Sequence, residues 1–314
     1  MKKSWIIFPV IFCLAIFLLL IPKPGEIYDA SMYGVLPGNS GSENSKNLQA
    51  LIDKAAFKGG TIYIPEGEYV FCANGSQTYG DHCIKMRSNV SIHGSGEDTV
   101  LMPAGESEYG LDMFYYNDYL DQGSEAYIEN CQFRDFVIDA SGTSCKTYTS
   151  AGKGFMFNLF RNCHWANVTV KYTDATGFGV DCPVDSSMTN CVAIGCGKAA
   201  AEDSNGASGF GIGYGFAPGE NLQITDCTAN GNKKFGFFFE HQGRFDLERY
   251  PLENQGKFEI NSCSAEGNLY NFGGICAQNV TYQDCVSEAP RNKGVFFEDC
   301  TDCRYNGKEV ERFA

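Results

Sequence analysis

Basic charge is scarce in this 314-residue chain, where lysine and arginine number 24 against 38 aspartates and glutamates. Setting aside Lys2, Lys3 and Lys23 in the N-terminal segment leaves 21 against 38, a balance of −17. So acidic a surface excludes nucleic acid and anionic lipid as partners. It also tells against a polyanionic ligand unless a cleft is locally basic. No Pro/Ser-rich linker or low-complexity tract interrupts residues 26–314, so they read as one domain. Paired C-x-x-C motifs with histidine at zinc spacing are absent, Cys300 and Cys303 forming a lone C-x-x-C, and zinc is not expected. Glycine–aspartate nonapeptide repeats are missing as well, which removes that route to calcium. The sequence thus offers no metal ligand set and requires no cofactor, calcium being left open as an accessory ion.

What is present is a phrase that returns five times: GFGVD from Gly177, GFGIG from Gly209, GFFFE from Gly236, GGICA from Gly273 and GVFFE from Gly294. Recurring units with their apolar residues in step imply stacked coils that bury their faces against one another. The units are β-branched and aromatic runs bounded by Gly, Asn and Asp, without helical periodicity, so the stack is a β-solenoid. Cys131, Cys163, Cys191, Cys227, Cys263, Cys285 and Cys300 recur at one place in the units. They are expected as a single inward column of free thiols packing as small hydrophobes. Cys72 and Cys83 flank a polar loop and are the disulfide candidates.

Lys2 and Lys3 precede an apolar run from Trp5 to Ile21, with no small-x-small cleavage site before Pro22. Residues 1–25 therefore read as a signal peptide or a membrane anchor. Either way the remainder is exported, and the membrane is met only through this segment. Leu48, Leu51, Ile52, Ala55 and Ala56 fall at helical spacing, with Ser45 as cap and Gly59-Gly60 as stop. Such a helix would cover the open end of the stack. Asn89, Asn167 and Asn279 begin polar turns before alternating apolar residues and read as coil corners, although they and Asn74 also lie in N-x-Ser/Thr sequons. Segments 105–125 and 242–257 fit no coil and are expected to project as loops over one face.

YGVLPG, the helix, GGTIYIPEGEY and VSIHGSGEDTVL together resemble the N-terminal part of the pectate-lyase-like right-handed parallel β-helix superfamily. From Tyr33 to about Gln278 the order EYVFCANG, CIKM, FRDFVIDASG, GKGFMFN and GFGVDCP is similar to the catalytic module of secreted mannuronan C5-epimerases. The resemblance implies an all-β, single-stranded right-handed parallel β-helix with an N-terminal capping helix, acting on a uronan. It implies a Tyr and a His as proton-transfer groups, a nearby Asp, and Lys, Arg and a second acid around the substrate carboxylate. The family motif G-Y-G-F-D-P-H-E can be laid on this chain in two registers. By coil order GFGVDCP puts Phe178 at the Tyr, keeps Asp181 and has Pro183 at the His, with Lys153 at the family Lys and Lys234 at its Arg. By local string GYGFAPGE keeps Tyr214, has Ala217 at the Asp and Gly219 at the His, and Glu240 matches the second acid. Neither register retains the histidine.

Aligning the repeats on their first glycine puts Asp181, Gly213, Glu240, Ala277 and Glu298 in one column and Cys182, Tyr214, His241, Gln278 and Asp299 in the next. Asp181 and Glu240 would then lie roughly 10 Å apart with Tyr214 between them. The expected catalytic group is Asp181, Tyr214, Glu240 and His241, with Lys153 and Lys234 binding substrate. Removal of the C5 proton of a uronic acid needs a base, a proton donor and a cation at the carboxylate, which these residues supply for a lyase or an epimerase. Asp181 and Glu240 alone could instead serve an inverting glycoside hydrolase. Structural roles compete with all of these: corner acids, a His-Glu pair opening a loop, an aromatic shelf at Tyr214, and a solvated turn at Lys233-Lys234. A catalytically degenerate carbohydrate-binding or cell-surface protein is the remaining alternative. Phe235, Phe237, Phe238 and Phe239 must divide between core and surface, because alternate residues face opposite sides.

Overall fold

The computed structural model describes residues 25–202, 204 and 206–310. The signal-or-anchor expectation falls mainly on residues 1–24, outside the described residues. Among the described residues no helix is long and apolar enough to cross a membrane.

Each turn of the chain is a set of short strands ended by a residue that accepts a left-handed backbone. Asn89, Asn130, Asn162, Asn167, Asn190, Asp226, Ser262, Asn279 and Asp284 all have φ between 50° and 65°, a conformation that Asn and Asp tolerate better than β-branched residues. The corner amides also bond from turn to turn: Asn130 Nδ2 donates to Asn89 Oδ1 at 2.8 Å and Asn162 Nδ2 to Asn130 Oδ1 at 2.7 Å. The corner reading of Asn89, Asn167 and Asn279 therefore agrees with the structure. Successive turns pair in parallel, giving one sheet of 17 strands that bends at these corners and a second of 10. The architecture is a right-handed parallel β-helix.

The ten-stranded sheet carries the candidate site. Its main strands are β1 (Gly80–Lys85), β2 (Leu111–Tyr116), β3 (Phe155–Arg161), β4 (Phe178–Val184), β5 (Phe210–Tyr214), β6 (Phe235–His241), β7 (Tyr270–Ile275) and β8 (Lys293–Glu298). Inward residues stack in register along the axis. Phe155, Phe178, Phe210, Phe237 and Phe272 form a ladder with ring centroids 5.5, 4.7, 4.7 and 5.2 Å apart. Such offset rings add roughly 0.5–1.5 kcal/mol per pair beyond their burial.

The thiols depart from the single column expected. Pairing of Gln132 with His164 stacks Cys131 on Cys163, and that line continues through Ser186, Leu222, Phe258 and Val280 to Cys303. Cys191, Cys227, Cys263 and Cys285 form a separate ladder at the neighbouring corner, above Val168. Cys300 belongs to neither, and its Sγ accepts from Ala277 N at 3.2 Å. The Asn/Asp-Cys dipeptide recurs because any corner favours it, so its position along a turn is not fixed. Cys72 and Cys83 are free thiols and not a disulfide. Cys83 is buried in the core, whereas Cys72 lies against the first turn of the helix at Gly41.

That helix, α1 (Gly41–Ala56), starts before the expected cap. Ser40 is its N-cap in a reciprocal box with Glu43. Ser45 is buried instead, donating to Cys72 O at 2.7 Å. Leu48, Leu51, Ile52 and Ala55 face the core, while Gln49 bonds both N and O of Lys85. The helix thereby occupies polar groups of the first turns that would otherwise be open to another strand.

Of the two expected loops, 242–257 holds only a 3-10 turn, Gln242–Arg244, before the next strand starts at Lys257. The other expectation is corrected in part. Residues Gly105–Ser107 pair in parallel with Thr143–Cys145, Leu111–Tyr116 are β2, buried in the stack, and the stretch after it carries α2 (Asp118–Gln122). Its aromatic and charged composition hid an ordinary coil strand whose Tyr115 hydroxyl is covered by Asp121 of α2 at 2.8 Å.

Candidate active site

Strand parity decides which side chains reach the outer face of the ten-stranded sheet. In β5, Phe210, Ile212 and Tyr214 point inward and Gly211 and Gly213 outward. In β6, Phe237, Phe239 and His241 point inward and Phe238 and Glu240 outward. Asp181, Gly213, Glu240, Ile275 and Glu298 form one outward row. The expected column is right except at Ala277. Asn271, not Gly273, pairs with the position of Gly236, so the fourth repeat is NFGGI rather than GGICA.

Tyr214 and His241 do not join that row. Tyr214 is fully buried against Phe258, and its hydroxyl accepts from Gln278 N at 2.5 Å. His241 is equally buried. Its Nδ1 accepts from Gly243 N at 3.0 Å, which leaves Nε2 to donate to Asn254 O at 2.8 Å. With both ring nitrogens engaged by backbone, His241 pins the 242–254 loop. The physical reason for the correction is that Tyr214 and His241 directly follow the outward Gly213 and Glu240, so they face the opposite side.

The outer face is a groove along the helix axis. Asp112, Asn117, Met156 and Asn158 line one part and Thr176, Gly211, Phe238 and Glu240 the other, while Ser150, Lys153, Asp181 and Gln242 are common to both. Lys153 crosses the floor over Gly179, where an added Cβ would come within 2.5 Å of Lys153 Cδ. Gly213 leaves room for Asp181 and Gln242 to converge above it. Asp181 Oδ1 accepts from Gly213 N at 2.9 Å. Burial pushes the Asp181 carboxyl above the ordinary range and the Lys153 ammonium opposes that push. The same two causes act on Asp112, which also accepts from Gly152 N, Lys153 N and Gln77 Nε2. Glu240 is raised to about 7 by burial, against the pull of Arg244, whose Nη2 lies 2.5 Å from Glu240 Oε1. Lys234 lies farther along, its ammonium 5.8 Å from the Phe235 ring and its charge felt at Glu240.

The 242–254 loop supplies groups that no repeat announces. Arg249 sits over the rings of Tyr119 and Tyr250, 3.5 and 4.8 Å from their centroids, and donates to Asn158 Oδ1 at 3.0 Å. Tyr250 is buried against the groove, and burial raises its phenol pKa. Beneath the loop Asn254 Nδ2 donates to the carbonyls of Gly215 and Phe216. Glu220, raised to about 7 by burial, accepts from Gly215 N and Ala217 N. The length and charge of the loop mark it as functional in sequence, but its landing place on the sheet is a tertiary fact. Among the described residues no group of three or more His, Cys, Asp and Glu side chains is arranged to hold a metal ion.

Comparison with known proteins agrees with this architecture. No family model matches the chain. Mannuronan C5-epimerase AlgE1 of Azotobacter vinelandii is 40% identical over 261 residues, 81% of this chain and 15% of the relative. Mannuronan C5-epimerase AlgE4 of the same organism is 31% identical over 116 residues, 36% of this chain and 20% of the relative. The chain thus spans a fifth or less of these curated relatives. Among solved structures, the A-modules of AlgE4 and AlgE6 superpose with TM-scores of 0.58 and 0.59 at 20% identity, covering 88% of this chain and 75% and 74% of theirs. The tailspike protein of E. coli bacteriophage HK620 gives 0.57 at 16% identity over 93% of this chain and 56% of its own. In fold, the chain is that of the epimerase A-modules; in sequence, it is similar to the epimerases.

Proposed function

We propose that this protein binds an acidic polysaccharide along the groove and removes the C5 proton of a uronate unit, as an epimerase or a lyase. The observation that carries the reading is Lys153 in one groove with two carboxyls, Asp112 and Asp181, that burial has raised and its charge opposes. A cation there neutralises the substrate carboxylate, the site where charge accumulates once C5 is deprotonated. Asp181, partly exposed to the groove and made more basic by its setting, takes the proton. Tyr250, kept protonated by burial and carried on the loop rather than the floor, donates a proton from the other side. Glu240 acts as a second acid, and Arg249 holds the loop in place through Asn158. The similarity to mannuronan C5-epimerases supports the substrate class. On this reading the protein works outside the cytoplasm, tethered by or released from residues 1–25.

One observation favours a second reading. Asp181 and Glu240 share a row two turns apart, roughly 10 Å on strand spacing, close to the separation used by inverting glycosidases. A panel of alginate and pectins separates the cases. Lyase activity gives ultraviolet absorbance from unsaturated uronates, epimerase activity changes the uronate composition by proton NMR, and hydrolysis gives reducing ends with neither. Binding without any of the three would leave a carbohydrate-binding protein.

A further inference from the structure

Beyond Glu240 the outer face of the sheet changes character. Phe235 and Phe238 stack with centroids 4.5 Å apart, Tyr270 and Phe296 with 4.4 Å, and Phe235 lies 5.0 Å from Tyr270. These four rings face away from the core ladder and form their own cluster with Ile275. Phe235 and Phe238 underlie it, while Tyr270 and Phe296 are partly exposed. Register makes it continuous with the groove: the row of Gly179 and Gly211 runs on through Phe238 and Gly273 to Phe296. Two cations border the rings, Lys234 at 5.8 Å from Phe235 and Lys293 at 5.4 Å from Phe296. Such an arrangement is unusual on a chain this poor in basic residues.

We infer that Tyr270 and Phe296 form a distal subsite that packs against the sugar units of an acidic glycan already engaged at Lys153. The inference rests on the functional reading above. Stacked parallel strands rise about 4.8 Å per turn, close to the length of one pyranose repeat, so a glycan lying along the axis advances about one unit per turn. Four turns separate Gly179 from Phe296. A chain held at Lys153 therefore reaches the rings only when it extends by roughly four further units. The exposed aromatic surface of this stacked pair packs against the apolar faces of sugars whatever their charge, whereas the lysines select uronates over neutral units. The subsite thus predicts a dependence on chain length that a single anion site at Lys153 does not.

The test is calorimetric titration of the full chain with oligomers of β-1,4-linked mannuronate and α-1,4-linked galacturonate from trimer to octamer, with cello-oligomers as neutral controls. The wild-type protein is expected to bind octamer at least roughly tenfold more tightly than trimer. Tyr270→Ala/Phe296→Ala should lose that gain while keeping trimer affinity, Tyr270→Phe/Phe296→Tyr should retain it, and Lys293→Gln should reduce it for uronates. An unchanged thermal midpoint in the alanine double variant confirms that it folds. Uronate binding with no length dependence, or with a length gain that survives the double alanine variant, overturns the subsite and leaves the Lys153 reading standing. Absence of uronate binding at every length overturns both.

Discussion

Asp181 and Glu240 occupy one row of the ten-stranded sheet with Gly213 as the only residue between them. The bare glycine brings the two carboxyls to the same groove, where burial raises both and the Asp181 charge raises Glu240 further. Glu240 is therefore protonated in the folded protein up to about pH 7, whereas in the unfolded chain it ionises near its ordinary value. Between those values the folded state holds more protons than the unfolded state, so stability falls as pH rises through this window.

Glu240→Gln should flatten the loss of stability between about pH 4.5 and 7, removing up to roughly 3 kcal/mol of pH dependence. Denaturant unfolding of both proteins across this range measures it. An unchanged slope would show that Glu240 is already ionised in the folded state.

Lys153→Gln should lower activity on uronans by roughly a hundredfold or more, because the substrate carboxylate loses its cation. The variant should also raise the apparent pKa of Asp181, whose carboxyl the ammonium opposes against burial. The pH profile of activity reads both effects.

Tyr214→Phe should leave activity intact and cost about 1–2 kcal/mol of stability, since its hydroxyl serves Gln278 N in the core. His241→Ala should loosen the 242–254 loop by breaking the links to Gly243 and Asn254. Its activity loss should come with faster proteolysis of that loop, and loss of activity without it would return His241 to the chemistry.

The stacked thiols of Cys191, Cys227, Cys263 and Cys285 are buried. They should resist a thiol reagent in the native protein and react together on unfolding. Cys227→Ala should destabilise by about 1–3 kcal/mol, because it leaves the buried Cys191 N, which donates to Cys227 Sγ at 3.3 Å, without a partner.

The stack itself was readable because β-branched and aromatic runs with Asn and Asp corners admit few other structures, and Asp181, Gly213, Glu240 and Glu298 align as the repeats suggest. The fourth repeat slipped by two residues because Gly273-Gly274 imitates the first glycine of the phrase, a place held in space by Asn271. Column order, and for Tyr214 the local match to the family motif, put Tyr214 and His241 in the site, although the twofold alternation of a strand already sets them opposite Gly213 and Glu240. Arg249 and Tyr250 could not be found this way. They stand in a loop without periodicity, and only its fold back onto Asn158 brings them to the groove.

The central claim is that the groove removes the C5 proton of a uronate, with Asp181 as base. Proton NMR of alginate and pectins incubated with the protein in deuterium oxide measures this directly. The expected result is progressive loss of the H5 resonance, through deuterium exchange in epimerisation or unsaturation in elimination, and its abolition in Asp181→Asn. Full retention of H5 while the polymer is bound or cleaved would contradict the account.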